Sequence, residues 1–240
     1  MKTVLITGAN KGIGFACAKK FLSEGCRVIL SGRSEENLLK AKAKLSDERV
    51  KIHLWDIAAA ENAREAIETA HTLFGNIDTF INNAGIVRRL PTGPLSLLTE
   101  TPETWDATMN TNLRGTFFAL QAEAKYMIEK GIKGHIVNVC SEMGFRAARN
   151  AYGVSKWGVR GLTLGAAKML ADHGIVLNAV APGETATEIL GQKEGERVEI
   201  NSPRGFRAMP EEIAASIFHL ANDENAIGAI YLTDGGRSLY

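Results

Sequence analysis

Tyr152 and Lys156 stand four residues apart in Tyr152-Gly-Val-Ser-Lys156, a spacing that puts a phenol and an ammonium on one face of a helix. A free phenol titrates near ~10, and an acid or base working at neutral pH needs a pKa roughly 2 to 3 lower. A neighbouring cation has the right sign for that task. Taken alone the pair also describes many solvated helix surfaces, so its meaning rests on its company. Part of that company is Thr7-Gly8-Ala-Asn10-Lys11-Gly12-Ile13-Gly14. Glycines at this density permit a tight turn and a close approach of backbone to a phosphate at a helix start, with pyrophosphate as the natural guest. The spacing is Gly-x-x-x-Gly-x-Gly rather than the Gly-x-Gly-x-x-Gly of the common dinucleotide fingerprint. Small polar residues recur at Asn82-Asn83-Ala84-Gly85, at Ser141 and at Pro182-Gly183.

Something must hold these groups together. Short β-branched runs alternate with longer amphipathic stretches, the signature of parallel strands joined by crossover helices. The runs cover residues 4–7, 27–31, 50–55, 77–81, 135–140, 175–180 and 229–232. Between the first two, Gly14, Cys17, Ala18, Phe21 and Leu22 form one helical stripe, and Gly25 supplies a left-handed stop. Ser34 reads as an N-cap, Thr101-Pro102 as N-cap and first-turn proline, Gly131 and Gly174 as helix ends, and Pro210 as the start of the last helix. The expected architecture is a single α/β domain over residues 1–240, built on a seven-stranded, doubly wound parallel sheet of the Rossmann type. The glycine turn, Asn82–Gly85, Ser141 and Pro182-Gly183 all fall at carboxyl ends of strands, where ligands bind in such sheets. Segments 86–100 and 184–209 resist the pattern and read as functional loops.

Composition removes other classes. With 28 basic against 27 acidic residues the formal net charge is +1, which offers no field for nucleic acid or an anionic membrane. Cys17, Cys26 and Cys140 have no paired metal-ligand spacing and suit reduced thiols in the core of a cytoplasmic protein; no metal site is expected. The apolar run after Met1 is too short for a signal peptide or a membrane span and reads as a buried strand.

In chain order, Thr7-Gly8-x-x-x-Gly12-x-Gly14, Asn82-Asn83-Ala84-Gly85, Asn112, Ser141, Tyr152-x-x-x-Lys156 and Pro182-Gly183-x-x-x-Thr187 resemble the marks of the short-chain dehydrogenase/reductase family over essentially the whole chain. The resemblance implies a nicotinamide cofactor and a catalytic tetrad of Asn112, Ser141, Tyr152 and Lys156. It implies cofactor contacts from Gly8, Asn10, Lys11, Gly12, Ile13, Gly14, Asn83, Ala84, Gly85, Tyr152, Lys156, Pro182, Gly183, Thr185 and Thr187, with Asp56 and Ile57 near adenine. Hydride transfer to a carbonyl builds charge on oxygen, so a donor and a proton source must converge there. Ser141 and Tyr152 fill those places; Lys156 lowers the phenol pKa and bonds the ribose, and Asn112 helps hold a water on the proton path. The stretch from Ser141 to Tyr152 is shorter than usual in the family and that from Gly85 to Asn112 longer, which implies a reshaped substrate mouth.

Leu30-Ser31-Gly32-Arg33-Ser34 places no carboxylate where an NAD enzyme bonds the ribose 2′-hydroxyl, whereas Arg33 and Lys11 could meet a 2′-phosphate. NADP is therefore expected over NAD. Loops 86–98, 142–151 and 188–208 should frame a small carbonyl or alcohol substrate. Their arginines, Arg88, Arg89, Arg146, Arg149, Arg204 and Arg207, either bind an anionic group or are solvated loop charge offset by Glu188, Glu194, Glu196 and Glu199. Met143, Phe145 and Phe206 could instead line an apolar pocket. The expected function is an NADP(H)-dependent oxidoreductase interconverting a carbonyl and a secondary alcohol. A nucleotide-binding sensor without turnover is the alternative. A sugar-nucleotide epimerase or dehydratase ranks third, since little chain follows Gly183. Small residues on the helices after Asn112 and from Tyr152 allow close pairing across a two-fold axis, so a homodimer or homotetramer is expected.

Overall fold

β1 (Thr3–Thr7) is buried along all five residues, as a strand covered by helices on both faces must be. In the computed structural model, which describes residues 1–90, 93–187 and 198–239 and only the backbone at 89, 90 and 94, it is followed by α1 (Gly12–Ser23), β2 (Arg27–Gly32), α2 (Glu35–Leu45), β3 (Val50–Leu54), α3 (Ala63–Phe74) and β4 (Thr79–Asn82). A hairpin of β5 (Arg89–Leu90) and β6 (Gly93–Pro94) comes next, then α4 (Pro102–Met109), a π-helical turn at Asn110–Gly115, and α5 (Thr116–Lys130). β7 (His135–Val139), α6 (Ala151–Ala171), β8 (Val176–Pro182), α7 (Pro210–Leu220) and β9 (Ile230–Thr233) complete the order. Seven strands form one parallel sheet in the order β3-β2-β1-β4-β7-β8-β9. Strand order reverses between β1 and β4, the switch point where such sheets open a crevice.

Successive strand residues face opposite layers. Val4 and Ile6 pack with Phe15, Phe21, Leu38 and Ile217 from α1, α2 and α7, and Leu5 packs with Ile67, Phe80 and Met127 on the other face. Each such side chain contributes about 1.5–3 kcal/mol when fully buried. The local signals act as the sequence suggests. Ser34 accepts from Asn37 N, Thr101 and Thr104 form a reciprocal box with Pro102 behind them, and Gly131 takes a left-handed φ of 65° after α5. Pro210 opens α7. Cys17, Cys26 and Cys140 are buried and unpaired.

Differences are local. β4 begins at Thr79, and β8 runs on to Pro182, where the missing N–H suits a strand terminus. The hairpin lies in a segment expected to be irregular. Within 184–209, isolated bridges join Thr185 to Ala208 and Glu199 to Phe206. Of the expected 188–208 loop, residues 188–197, including Glu188, Glu194 and Glu196, lie outside the described residues, as does the Arg89 side chain.

One buried acid interrupts the second layer. His71 Nδ1 accepts the Ile77 N–H at 3.2 Å, so the imidazole proton sits on Nε2, 3.2 Å from Glu123 Oε1, and donates to the carboxylate. Glu123 is fully buried, and its Oε2 has no hydrogen-bond partner. Burial pushes the Glu123 carboxyl pKa up against a smaller downward pull from His71. A carboxyl raised in the fold contributes stability that is complete below its unfolded pKa and is lost as pH rises through the folded one. Glu123→Gln should abolish that loss. Its Tm is expected to exceed the parent's by about 2 to 4 °C at pH 8, with the two converging as pH falls towards 4.5. Thermal melts across that range check it; a gap independent of pH would contradict it.

Candidate active site

The floor of the crevice is knitted between β1 and β4. Thr7 Oγ1 accepts the N–H groups of Asn83 and Ala84 at 3.0 Å each. Asn83 Nδ2 returns bonds to Thr7 O at 2.8 Å and Gly8 O at 3.3 Å. Gly8 and Gly12 hold φ of 65° and 56°, a region costly for any residue with a Cβ. A Cβ on Gly14 would lie 2.4 Å from Gly8 O and 2.7 Å from Asn83 Nδ2. The turn is thus closed to side chains. α1 starts beneath it with Lys11 as an N-cap that makes no side-chain cap, leaving first-turn N–H groups for an outside acceptor. That cradle fits a phosphate at a helix start. Asn82 turns the other way, donating to Thr116 O at 3.0 Å and Asn138 Oδ1 at 3.1 Å in the buried layer.

The far wall is built by β7 and α6. Ser141 follows the end of β7 in extended backbone (φ −171°) and its Oγ accepts Met143 N–H at 3.2 Å. With that lone pair taken, the hydroxyl proton points to the Tyr152 side, where it hydrogen-bonds the phenol. Asn150 caps α6 by accepting from Gly153 N at 3.0 Å and donates to Leu95 O at 2.8 Å, tying the two neighbouring loops together. That cap sets Tyr152 and Lys156 in the first turns of α6, facing the crevice. Lys156 Nζ donates to Val139 O at 3.0 Å and sits 5.7 Å from the Tyr152 ring centroid.

Electrostatics here run against the sequence expectation. Burial pushes the Tyr152 phenol up from its ordinary value, the hydrogen-bonding Ser141 hydroxyl pulls it down, and nearby Cys140 and Glu142 add to the rise. Burial likewise pushes the Lys156 ammonium down. Burial thus sets the net direction for the phenol, and Lys156 is not among the groups that lower it.

Asn112 sits behind this wall. It lies fully buried in the π-helical turn, a departure often found at functional sites. Its Nδ2 donates to Ile86 O and its Oδ1 accepts Ile86 N–H, each at 2.8 Å. Both ends of the amide bracket the irregular backbone at Ile86, beside Gly85.

A cleft of about 510 Å3 gathers Gly8, Asn10, Lys11, Gly12, Ile13, Gly14, Asn83, Ala84, Gly85, Ser141, Tyr152, Lys156, Pro182, Gly183, Thr185 and Thr187. Gly183 fits there because a Cβ would meet Asp234 Cα at 2.7 Å. Four expected residues do not line it. Asn112 lies behind the wall, Arg33 is exposed at the start of α2, Asp56 spends Oδ1 on Ala58 N–H, and Ile57 is buried in the second core layer. A second cavity of about 720 Å3 continues from Asn10, Lys11 and Gly12 towards Asn37 and Lys40 on α2. Sequence reasoning missed Glu142, Glu184 and Arg237 on the substrate side. Only the position of Glu142 directly after Ser141 could have signalled one of them. Phe145 lies under Arg160, 4.2 Å from centroid to guanidinium, and Phe206 under Arg204 at 4.8 Å. Among the described residues, no group of three or more His, Cys, Asp or Glu could hold a metal ion, and no helix is long and apolar enough to cross a membrane.

Comparison with known proteins matches residues 2–198 to the family described as short chain dehydrogenase. The chain is 38% identical to the 3-oxoacyl-[acyl-carrier-protein] reductase FabG of Thermotoga maritima, covering 98% of this chain and 97% of that protein. It is 34% identical to the D-threitol dehydrogenase of Mycolicibacterium smegmatis, over 99% and 93%. The solved structure described as ElxO with NADP bound superposes with a TM-score of 0.89 at 33% identity, covering 100% of this chain and 99% of that one. A glycine cradle at the switch point, a Ser, Tyr and Lys on its far wall, and matches of this extent lead to one conclusion: the chain belongs to the short-chain dehydrogenase family of oxidoreductases.

Proposed function

We propose that the protein is an NADP(H)-dependent oxidoreductase that interconverts a carbonyl and a secondary alcohol, with Tyr152 as general acid and base. The observation carrying this reading is the convergence of Ser141, Tyr152 and Lys156 with the glycine cradle on one cleft. Gly8 to Gly14, Asn83 to Gly85, Lys156 and Thr185 to Thr187 would hold the cofactor, which supplies or accepts the hydride when bound. The Ser141 hydroxyl keeps its proton and donates a hydrogen bond to the substrate oxygen, an electrostatic contribution made where charge develops. Tyr152 gives that oxygen its proton during reduction and takes it back during oxidation. A phenol raised by burial stays protonated at neutral pH, which suits reduction; oxidation needs the phenolate and should quicken as pH rises. Asn112 keeps the Ile86 backbone in register with the cleft.

NADP is preferred in this reading because β2 ends at Gly32 and the exposed Arg33, not a carboxylate, comes next, while Lys11 lines the cavity that runs on from the glycine turn. The test is loss of reduced-nicotinamide absorbance on mixing with a panel of small carbonyls. NADPH is expected to outperform NADH, and Arg33→Asp to cut kcat/KM for NADPH by about 10- to 100-fold, the usual loss of a charge-assisted bond, while improving NADH. Equal use of both cofactors by the parent would refute the preference. Binding without absorbance loss on any carbonyl would refute the oxidoreductase.

α5 and α6 are proposed to pair with those of a second copy. Gly161 and Gly165 face open space, where a Cβ would meet nothing within 4 Å, and Phe117, Trp157, Leu164 and Met169 on the same helices are exposed.

A further inference from the structure

The substrate wall of the cleft is ionic, and its charges are mostly spent. Arg237 Nη1 reaches both Glu142 Oε1 and Glu184 Oε1 at 2.8 Å, and Arg207 Nε donates to Glu184 Oε2 at 2.8 Å. Arg204 pairs with Glu212 outside it. Two arginines thus face two carboxylates there, with Asp234 held close by beneath Gly236 and Ser238. Arg207 and Arg237 are already engaged by carboxylates. Two groups keep spare capacity. Glu142 Oε2 is buried without a hydrogen-bond partner, and Arg146 Nη1 stands 3.6 Å from it, too far for a hydrogen bond, on a side chain 43% exposed and free to swing. An unpaired carboxylate oxygen beside a movable cation asks for a group that donates to one and accepts from the other. A neutral hydroxyl does both; a carboxylate or phosphate would be repelled by Glu142, and a bare alkyl chain would leave the oxygen orphaned.

We propose that Glu142 is a specificity-determining residue that selects substrates bearing a second hydroxyl beside the reacting carbon, vicinal diols and hydroxyketones, by accepting that hydroxyl at Oε2 while Arg146 swings aside and donates to its oxygen. The position fits: Glu142 directly follows Ser141, lines the cleft with Tyr152, and is close enough to raise the phenol. Burial also pushes the Glu142 carboxyl up, with Arg237 opposing first and Arg146 next, so a new donor there relieves a cost already present in the fold. This inference rests on the oxidoreductase reading for its turnover consequence, but its binding consequence stands apart.

The experiment compares butane-2,3-diol with butan-2-ol, using NADP, for the parent, Glu142→Ala and Glu142→Gln. The ratio of kcat/KM values is taken within each protein, so general damage cancels. The parent is expected to favour the diol by about 10- to 100-fold, Glu142→Gln by a fewfold and Glu142→Ala hardly at all, following the strengths of charged and neutral hydrogen bonds. A parent ratio near one, or a ratio unchanged in Glu142→Ala, overturns the proposal. Calorimetric binding of the two alcohols to the parent with NADP separates the readings. Selective binding of the diol without turnover upholds Glu142 and overturns the oxidoreductase, whereas turnover of both alcohols without selection does the reverse. Neither binding nor turnover of either alcohol overturns both.

Discussion

Tyr152→Phe is expected to lower kcat by about 10²- to 10⁴-fold, the usual contribution of a positioned proton donor, while cofactor affinity changes little. The substitution removes one oxygen from a side chain whose ring stays in place, over the Lys156 ammonium 5.7 Å away. Lys156 keeps its bond to Val139 O, and Ser141 keeps Met143 N–H, so the wall does not move. What disappears is the proton. Single-turnover kinetics with fluorescence titration of the reduced cofactor separate the two quantities. Loss of affinity matching the loss of rate would show the phenol to be a binding group, and undiminished turnover would remove it from the chemistry. The pH dependence sharpens the case. Because burial holds the phenol above its ordinary value, alcohol oxidation by the parent should climb with pH into the alkaline range, and the residual activity of Tyr152→Phe should lack that limb.

Gly14→Ala should damage both the fold and cofactor binding. The added Cβ would sit 2.4 Å from Gly8 O, 2.7 Å from Asn83 Nδ2 and 3.0 Å from Ala9 Cα. Two of these are backbone atoms that cannot rotate away, so the turn itself has to shift. Overpacking of this kind costs about 1–3 kcal/mol, and the shift moves the first-turn N–H groups of α1 that the phosphates need. The expected result is a Tm lowered by several degrees and a cofactor Kd raised about 100-fold or more, since 1.4 kcal/mol is tenfold in an equilibrium constant. Cofactor titration of Gly14→Ala beside the parent decides the matter; comparable affinities would mean the turn is not a phosphate cradle.

Much of this arrangement is written locally in the chain. Strands buried on both faces produce continuous β-branched runs, so β1, β2, β7 and β8 can be read directly, whereas the two-residue strands of the β5–β6 hairpin are too short to show a period. Gly8, Gly12 and Gly14 are legible because backbone geometry at a tight turn demands glycine at fixed offsets, and Tyr152 and Lys156 because helix periodicity fixes which residues share a face. Relations across distance are not legible. Arg237 reaches Glu142 over 95 positions, Asn112 brackets Ile86 over 26, and Lys156 turns to Val139 O rather than resting beside the phenol alone.

The stitching of Thr7 to Asn83 across 76 positions has a bearing on how the molecule comes into being. β1 meets β4 only across the three intervening crossovers, and the end of β8 with residues beyond it closes the cleft from the last quarter of the chain. High contact order of this sort makes folding slow. Helical signal should return early after dilution from denaturant, and enzymatic competence only at the end. A nascent chain halted before β8 would carry the glycine turn and the tyrosine yet enclose nothing.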